Sequence, residues 1–589
     1  MALRLAQGLR AVAVAATLAL ATRHDARGAA VANLPPQSPP AAGQLAAPHQ
    51  TEPVQIAALT LKSISDARHG LAAGLTGIGR EDSSDIAGEI LSWLFMVPSL
   101  DCADLSNEAT VCLLTPAFEG DIPDRAAVLP VSPFGGEARL RESLKEAYGT
   151  VVGTNVLFCT QAADNGLPPE VCVVVTSNTA LVASSRESLR WVARRFRAGA
   201  LPRIAPVREG CILSATFDGP LSRNVVRQLL PAGSAAADGP LLALSLFGDV
   251  LATVSSLDVS VDAGMRAWRA ACRLHYPGGG GAALQSATAP DDSFMDIFPP
   301  GSFCRSASAL PALAPLLPET VRALYAGESP QANFCGFHIF PALPDCDRDF
   351  RRFLAGDRAA AYVVAAADGL VGRIEAFSLK QPAEAAKWLD TTFGTGAGKG
   401  RIASLETREA NGRKIHSYHL GLETLVGEDD DDFLAVVISL LAGFNSVEVT
   451  VDGDRLLVAS GSKGMVDGWL RHGTRRPEGA ADGARTVASL TASLGALPPG
   501  ETSLGGGEVQ PSAALAALAA CYRELARLSR RLPRYGDGFV WRLSRFDGGV
   551  VFDVTASSTE LMALIQLDSL DRRELSQLIV GRILQSSTP

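Results

Sequence analysis

Two periods of apolar residues, one near two and one near 3.6, alternate along this chain, and the order in which they change is repeated. Val171 to Ser184 reads VCVVVTSNTALVAS and Val447 to Ser460 reads VEVTVDGDRLLVAS; seven of these fourteen positions are identical, without a gap, at a constant offset of 276. Each segment reads as strand, turn, strand and then helix, because alternation gives way to helical spacing. Asp452-Gly453 is a hairpin signal, since such turns demand a positive φ, and Thr176-Ser177-Asn178 is its weaker counterpart. Ser184-x-x-Glu187 has the form of a capping box, followed by Leu189, Val192 and Phe196 on one helical face.

The flanking elements recur in the same order. A strand at Ala126 to Val131 precedes a helix bearing Leu140, Leu144 and Tyr148; a strand at Arg373 to Phe377 precedes one bearing Ala386, Leu389 and Phe393. Downstream, a strand at Cys211 to Phe217 is matched with Thr486 to Ala492. The two halves close with the hairpins Leu257 to Leu274 and Phe539 to Thr555. Period-2 strands joined by short turns predict antiparallel sheets backed by helices. The expected fold class is α+β: two tandem related domains, 53–285 and 286–589, each an antiparallel sheet with helices packed mainly on one face. Duplication of one domain explains the repeated order.

The N-terminus predicts an address. Arg4 and Arg10 precede an apolar run from Ala11 to Ala21, and Ala30-Val31-Ala32 offers a small-x-small cleavage site, the layout of a signal peptide over 1–32. Residues 33–52 are rich in Pro, Ala and Gln and read as a flexible leader. The longest later apolar run, Phe433 to Phe444, is too short to span a bilayer. No transmembrane segment is therefore expected after signal removal, and the protein is expected to be exported to the periplasm, cell envelope or exterior. In such a compartment the close cysteine pairs Cys102 and Cys112, Cys159 and Cys172, and Cys335 and Cys346 become candidate disulfides.

Composition narrows the function classes. The chain has 589 residues with 53 Lys plus Arg against 62 Asp plus Glu, a net charge of −9, which argues against a nucleic-acid partner. Removing residues 1–32, with four Arg and one Asp, brings the charge to −9 − 3 = −12. Against that background two basic stripes stand out at helical spacing: Arg186, Arg190, Arg194 and Arg197, and Arg523, Arg527 and Arg530. They are candidate docking sites for an anionic partner.

Catalytic and cofactor motifs do not assemble. Gly394 to Gly400 is Gly-rich, but it lacks the spacing and the hydroxyl of a phosphate loop. Ser460-Gly461-Ser462-Lys463 has the Ser-x-x-Lys form without its Lys-Thr-Gly companion, and the repeat reads Ser460, like Ser184, as a helix cap. His416 and His419 lie three apart on a strand and point to opposite faces. The acidic run Glu428 to Asp432 lacks calcium-loop spacing. No metal, cofactor or catalytic set is expected. The leading expectation is a non-enzymatic exported protein that binds an envelope protein, glycan or lipid surface through duplicated domains. The alternatives are an exported hydrolase assembled from distant residues and a carrier of apolar ligands.

Overall fold

In the computed structural model the described residues are 52–115, 123–154, 156–160, 170–176, 178–202, 204–229, 248–287, 302–309, 316, 339–340, 343–364, 371–394, 402–420, 446–461, 464–467, 470, 491–513, 516 and 538–568. The expected signal peptide, Pro/Ala-rich leader, Gly-rich loop, acidic run and second arginine stripe (Arg523, Arg527, Arg530) lie outside them. The chain divides into two compact units, Ala6–Tyr276 and Pro277–Pro589. Both are built of helices and antiparallel strands, an α+β construction. Among the described residues no helix is long and apolar enough to cross a membrane.

The first unit runs β1 (Gln55–Leu61), α1 (Ile64–Gly77), α2 (Ser83–Leu94), β2 (Ala109–Leu114), β3 (Asp124–Pro130), α3 (Gly136–Tyr148), β4 (Thr150–Val152), β5 (Val156–Thr160), β6 (Glu170–Thr176), β7 (Thr179–Ala183), α4 (Arg186–Arg197), β8 (Leu213–Asp218), α5 (Gly219–Leu229), β9 (Ser256–Ala263) and β10 (Ala267–His275). Its strands pair antiparallel in the order β4-β5-β6-β7-β3-β2-β1-β8-β9-β10. Alternation sends successive residues to opposite faces. Val171 and Val173 join one core with Leu140, Leu144 and Tyr148 of α3 and with α1 and α2. Cys172, Leu181 and Ala183 join another core with Leu189, Trp191 and Val192 of α4. Both faces are thus covered, whereas the sequence placed the helices mainly on one: α4 crosses to the far side because its apolar stripe meets the other alternation of the same strands.

The second unit runs α6 (Gly281–Ser286), β11 (Cys304–Ser308), α7 (Pro344–Phe350), β12 (Leu354–Val364), β13 (Val371–Leu379), α8 (Pro382–Gly394), β14 (Ile402–Ala410), β15 (Arg413–Leu420), β16 (Ser446–Asp452), β17 (Arg455–Ser460), β18 (Thr502–Val509), β19 (Phe539–Phe546), β20 (Gly549–Ser557) and α9 (Ser558–Asp568). Its antiparallel order is β14-β15-β16-β17-β13-β12-β11-β18-β19-β20. Replacing each strand number n of the first sheet by n + 10 reproduces this order.

Registers repeat as well. The pair Cys172↔Ala183 has its counterpart in Glu448↔Ala459, both partners shifted by 276. Ala126↔Ala183 corresponds to Ile374↔Ala459, and Leu157↔Val173 to His416↔Val449. Val447 and Val449 lie in one core with Leu389 and Phe393 of α8, as Val171 and Val173 do with Leu144 and Tyr148. A one-residue slip would reverse every face.

Four expectations need correction. The strand that follows β17 in the sheet plan is Thr502–Val509; of the expected strand Thr486 to Ala492, residues 486–490 lie outside the described residues and Ala492 lies in a short 3-10 turn. Glycine is a poor strand former, which hid β18 from view. Here Gly505 (φ 148°) lets the backbone approach β11: an added Cβ would lie 2.5 Å from the Ala307 carbonyl oxygen.

The helix cap of α4 is Ser185, whose Oγ accepts from the Ser188 amide at 3.2 Å. Ser184, just past the end of β7, turns its Oγ toward β3, accepting from the Arg125 amide at 2.8 Å. Ser460 ends β17 and caps nothing; its buried Oγ has no partner among the described residues. The amides of Gly464 and Val466 donate instead to the Glu448 carboxylate, at 2.8 and 3.0 Å.

Two of the expected bridges, Cys102–Cys112 and Cys159–Cys172, are not formed among the described residues. Among the described residues Cys102, Cys112, Cys159, Cys172 and Cys346 are free thiols. Cys159 pairs with Val171, and Cys172 with Phe158, so the two thiols sit one register step apart on opposite faces. Cys102 and Cys112 are divided between the same two cores. Cys335 lies outside the described residues.

Candidate functional site

Because registers repeat, each unit serves as a control for the other, and side chains that differ at equivalent positions stand out. Arg373 pairs with Ser460 across β13 and β17. Arg125 takes the same place in the first unit: its amide donates to Ser184 Oγ, and its carbonyl accepts from the Ser184 amide. Two residues further on, the second unit has Glu375 where the first has Ala127, both fully buried. Arg373 forms a short buried ion pair with Glu375. Arg125 meets no carboxylate among the described residues: its guanidinium lies 4.4 Å from the Trp93 ring centroid and donates to the Trp93 carbonyl at 3.2 Å. Burial pushes the Arg125 pKa down to about 10, which nearby Tyr148 only partly offsets.

Tyr148 and Tyr418 exchange places in the same frame. Tyr148 closes α3 where α8 has Phe393, while Tyr418 stands on β15 where β5 has Cys159. The Tyr148 hydroxyl is buried and has no hydrogen-bond partner among the described residues. Its pKa is raised, first by burial, then by Cys159, against the opposing pull of Arg125. Burial likewise drives Tyr418 well above the ordinary phenol range.

A second polar group surrounds His416, at the position of the first unit's Leu157. The imidazole is buried and stacks on Phe393 at 5.7 Å between centroids. Its Nε2 lies 3.2 Å from Asp390 Oδ1 of α8, and its Nδ1 lies 3.1 Å from the Oγ1 of exposed Thr407 on β14. Lys414 holds the other Asp390 oxygen at 3.0 Å. Burial pushes the His416 pKa down, and Asp390 opposes it. His419, on the opposite face, is no part of this group. Among the described residues no His, Cys, Asp or Glu cluster could hold a metal.

Arg186, Arg190, Arg194 and Arg197 are all exposed on α4, with Glu187 as that helix's acid. Arg186 stacks on Phe158 at 4.3 Å, and Arg194 meets Glu52 at 3.2 Å on the surface, a contact worth little in water. Asp124 anchors the start of the helix by accepting from the hydroxyls of Ser184, Ser185 and Ser188.

Sequence reasoning found the arginine stripe but missed both buried groups. His416 was visible only as a polar strand residue, since Thr407 and Asp390 reach it from other elements. The sole sequence signal for Arg125 was the repeat, which aligns an arginine with Arg373.

No protein-family model matches the chain, and no curated protein matches it. A solved structure described as crystal form IV of TP0453 is 10% identical, over 38% of this chain and 77% of that one, with a TM-score of 0.22. At that score the likeness assigns neither fold nor function.

Proposed function

We propose that this is an exported, non-enzymatic protein of the periplasm or cell envelope, built of two tandem copies of one domain, that binds an anionic partner. The observation that carries the reading is the repetition of strand order and register across the two units. A duplicated scaffold presents two related surfaces, and two weak contacts on one chain reinforce each other. The exposed α4 arginines supply one such surface, a local positive field on an acidic chain. The partner class is an envelope protein, glycan or lipid surface.

Sequencing the N-terminus of material recovered outside the cytoplasm tests export: a start near Asn33 is expected, and an intact Met1 would refute it. Binding is tested on the mature chain with vesicles containing anionic phosphatidylglycerol and with a sulfated glycan. Salt-sensitive binding to at least one is expected, lost when Arg186, Arg190, Arg194 and Arg197 are replaced by alanine. Binding to neither probe, or binding indifferent to the four replacements, would refute the docking surface.

An exported hydrolase is the second reading, and the Thr407–His416–Asp390 group favours it. With the proton on Nε2 donated to Asp390, Nδ1 can accept the Thr407 hydroxyl proton, the relation of a nucleophile to its general base. The lowered pKa keeps the ring neutral for that role. A fluorophosphonate ester that labels the wild type but not Thr407→Ala would establish it; no labelling and no ester turnover would remove it.

A further inference from the structure

One row of the ladder changes character between the two units. In the first, Val152, Phe158 and Cys172 stand side by side across β4, β5 and β6. The same row of the second unit reads Glu406, Ser417 and Glu448 across β14, β15 and β16. There Arg408 of β14 pairs with Glu448 and Asp467, so the row is polar and tied down. The first unit's row is apolar and open at its end. Val152 is 60% exposed on β4, the last strand of the order, and Phe158, Val156 and Val174 beside it are half-buried. The Arg186 guanidinium lies 4.3 Å from the Phe158 ring centroid, which sets the first arginine of α4 directly against this row. Arg190 and Arg197 follow along the same flank of the helix, both exposed.

We propose that this surface of the first unit docks on a bilayer of anionic phospholipid, the α4 arginines meeting the phosphates while Val152 and Phe158 enter the hydrocarbon border. The inference rests on the reading of the α4 stripe as a docking surface, and it names the partner. A glycan satisfies arginines but offers nothing to an exposed valine and a half-buried phenylalanine. An acidic protein would need an apolar strip of its own shaped to the step from sheet to helix, whereas a fluid bilayer adapts to that step. A bilayer surface presents negative charge and hydrocarbon together, and the two attractions add. An arginine can keep its charged end among headgroups while its stem covers apolar surface; Arg186 already lies over Phe158 in this way. The matching row of the second unit carries Glu406 and Glu448, which anionic lipid repels, so the contact belongs to the first unit.

Flotation of the full mature chain with phosphatidylglycerol vesicles, beside a calorimetric titration with heparin, tests the docking. Binding to the anionic vesicles is expected, with binding to phosphatidylcholine vesicles about tenfold weaker or less. Val152→Asn removes hydrocarbon from an exposed position without changing charge. It should weaken vesicle binding by about tenfold, the scale of burying most of one such side chain, and leave heparin affinity and melting temperature unchanged. Val152→Trp, a side chain that favours the membrane interface, should strengthen vesicle binding instead. Heparin binding without vesicle binding would overturn the proposal and leave the arginine stripe standing. Vesicle affinity unchanged in Val152→Asn, or weakened in Val152→Trp, would also overturn it. So would an equal loss of heparin binding or a fall in melting temperature in Val152→Asn, which would assign the side chain to the fold. Binding to neither probe would remove the docking surface itself and this proposal with it.

Discussion

Tyr148 carries its hydroxyl into a core of Leu140, Leu144, Leu157 and Val173, where no described group meets it. Leaving a buried donor unpaired costs about 1–3 kcal/mol, so Tyr148→Phe should stabilise the chain by about 1 kcal/mol. A denaturant midpoint that falls instead would show that the hydroxyl is satisfied. His416 makes a different prediction. Burial disfavours the imidazolium, so the folded pKa lies below the ordinary 6.5. The unfolded chain then binds the proton more readily, and stability is fullest above 6.5 and declines as pH falls through that value. His416→Leu, which copies Leu157 of the first unit, should flatten this dependence. Equal slopes of melting temperature between about pH 7.5 and about pH 5.5 in both proteins would refute the assignment. Neither residue could be singled out from its sequence neighbourhood. Burial and unmet partners depend on what other elements bring, and Asp390 is separated from His416 by a turn and a strand.

Helix starts and strand registers were partly legible. The serines, the hairpin turns and the alternating valines were all visible, and the folded chain uses the Asp452-Gly453 turn and the valines as read. A single residue decided how. Ser185 caps α4, so Ser185→Ala should cost about 0.5–2 kcal/mol. Ser460→Ala should be neutral or mildly stabilising, because it removes a buried hydroxyl that has no partner among the described residues. Matching losses at the two serines in thermal melts would restore the symmetric cap that the repeat suggested. Register likewise separates Cys159 from Cys172, so non-reducing peptide mapping should find both thiols alkylatable after unfolding; a bridged peptide would contradict the pairing of β5 with β6. Spacing in sequence cannot reveal a one-step offset across a ladder, although the chemistry of the pair depends on it.

Each unit encloses cores of its own, around Val173 and Leu144 in the first and around Val449 and Leu389 in the second. A fragment spanning residues 53–276 should accordingly melt cooperatively by itself, and a featureless melt would show that the first unit needs the second to fold. Element types, the hairpins Val171–Ser184 and Val447–Ser460 and the repeated order could be read from the chain alone. Those features are written in local periodicity, where each residue's neighbours in sequence are its neighbours in space. The glycine-rich β18 was hidden, because close approach to β11 is a requirement of a distant strand. The crossing of α4 to the second face, the free thiols, the unmatched Arg125 and the group around His416 waited for the folded chain. Each depends on which face, register and distant element a side chain meets, and long-range pairing alone settles that.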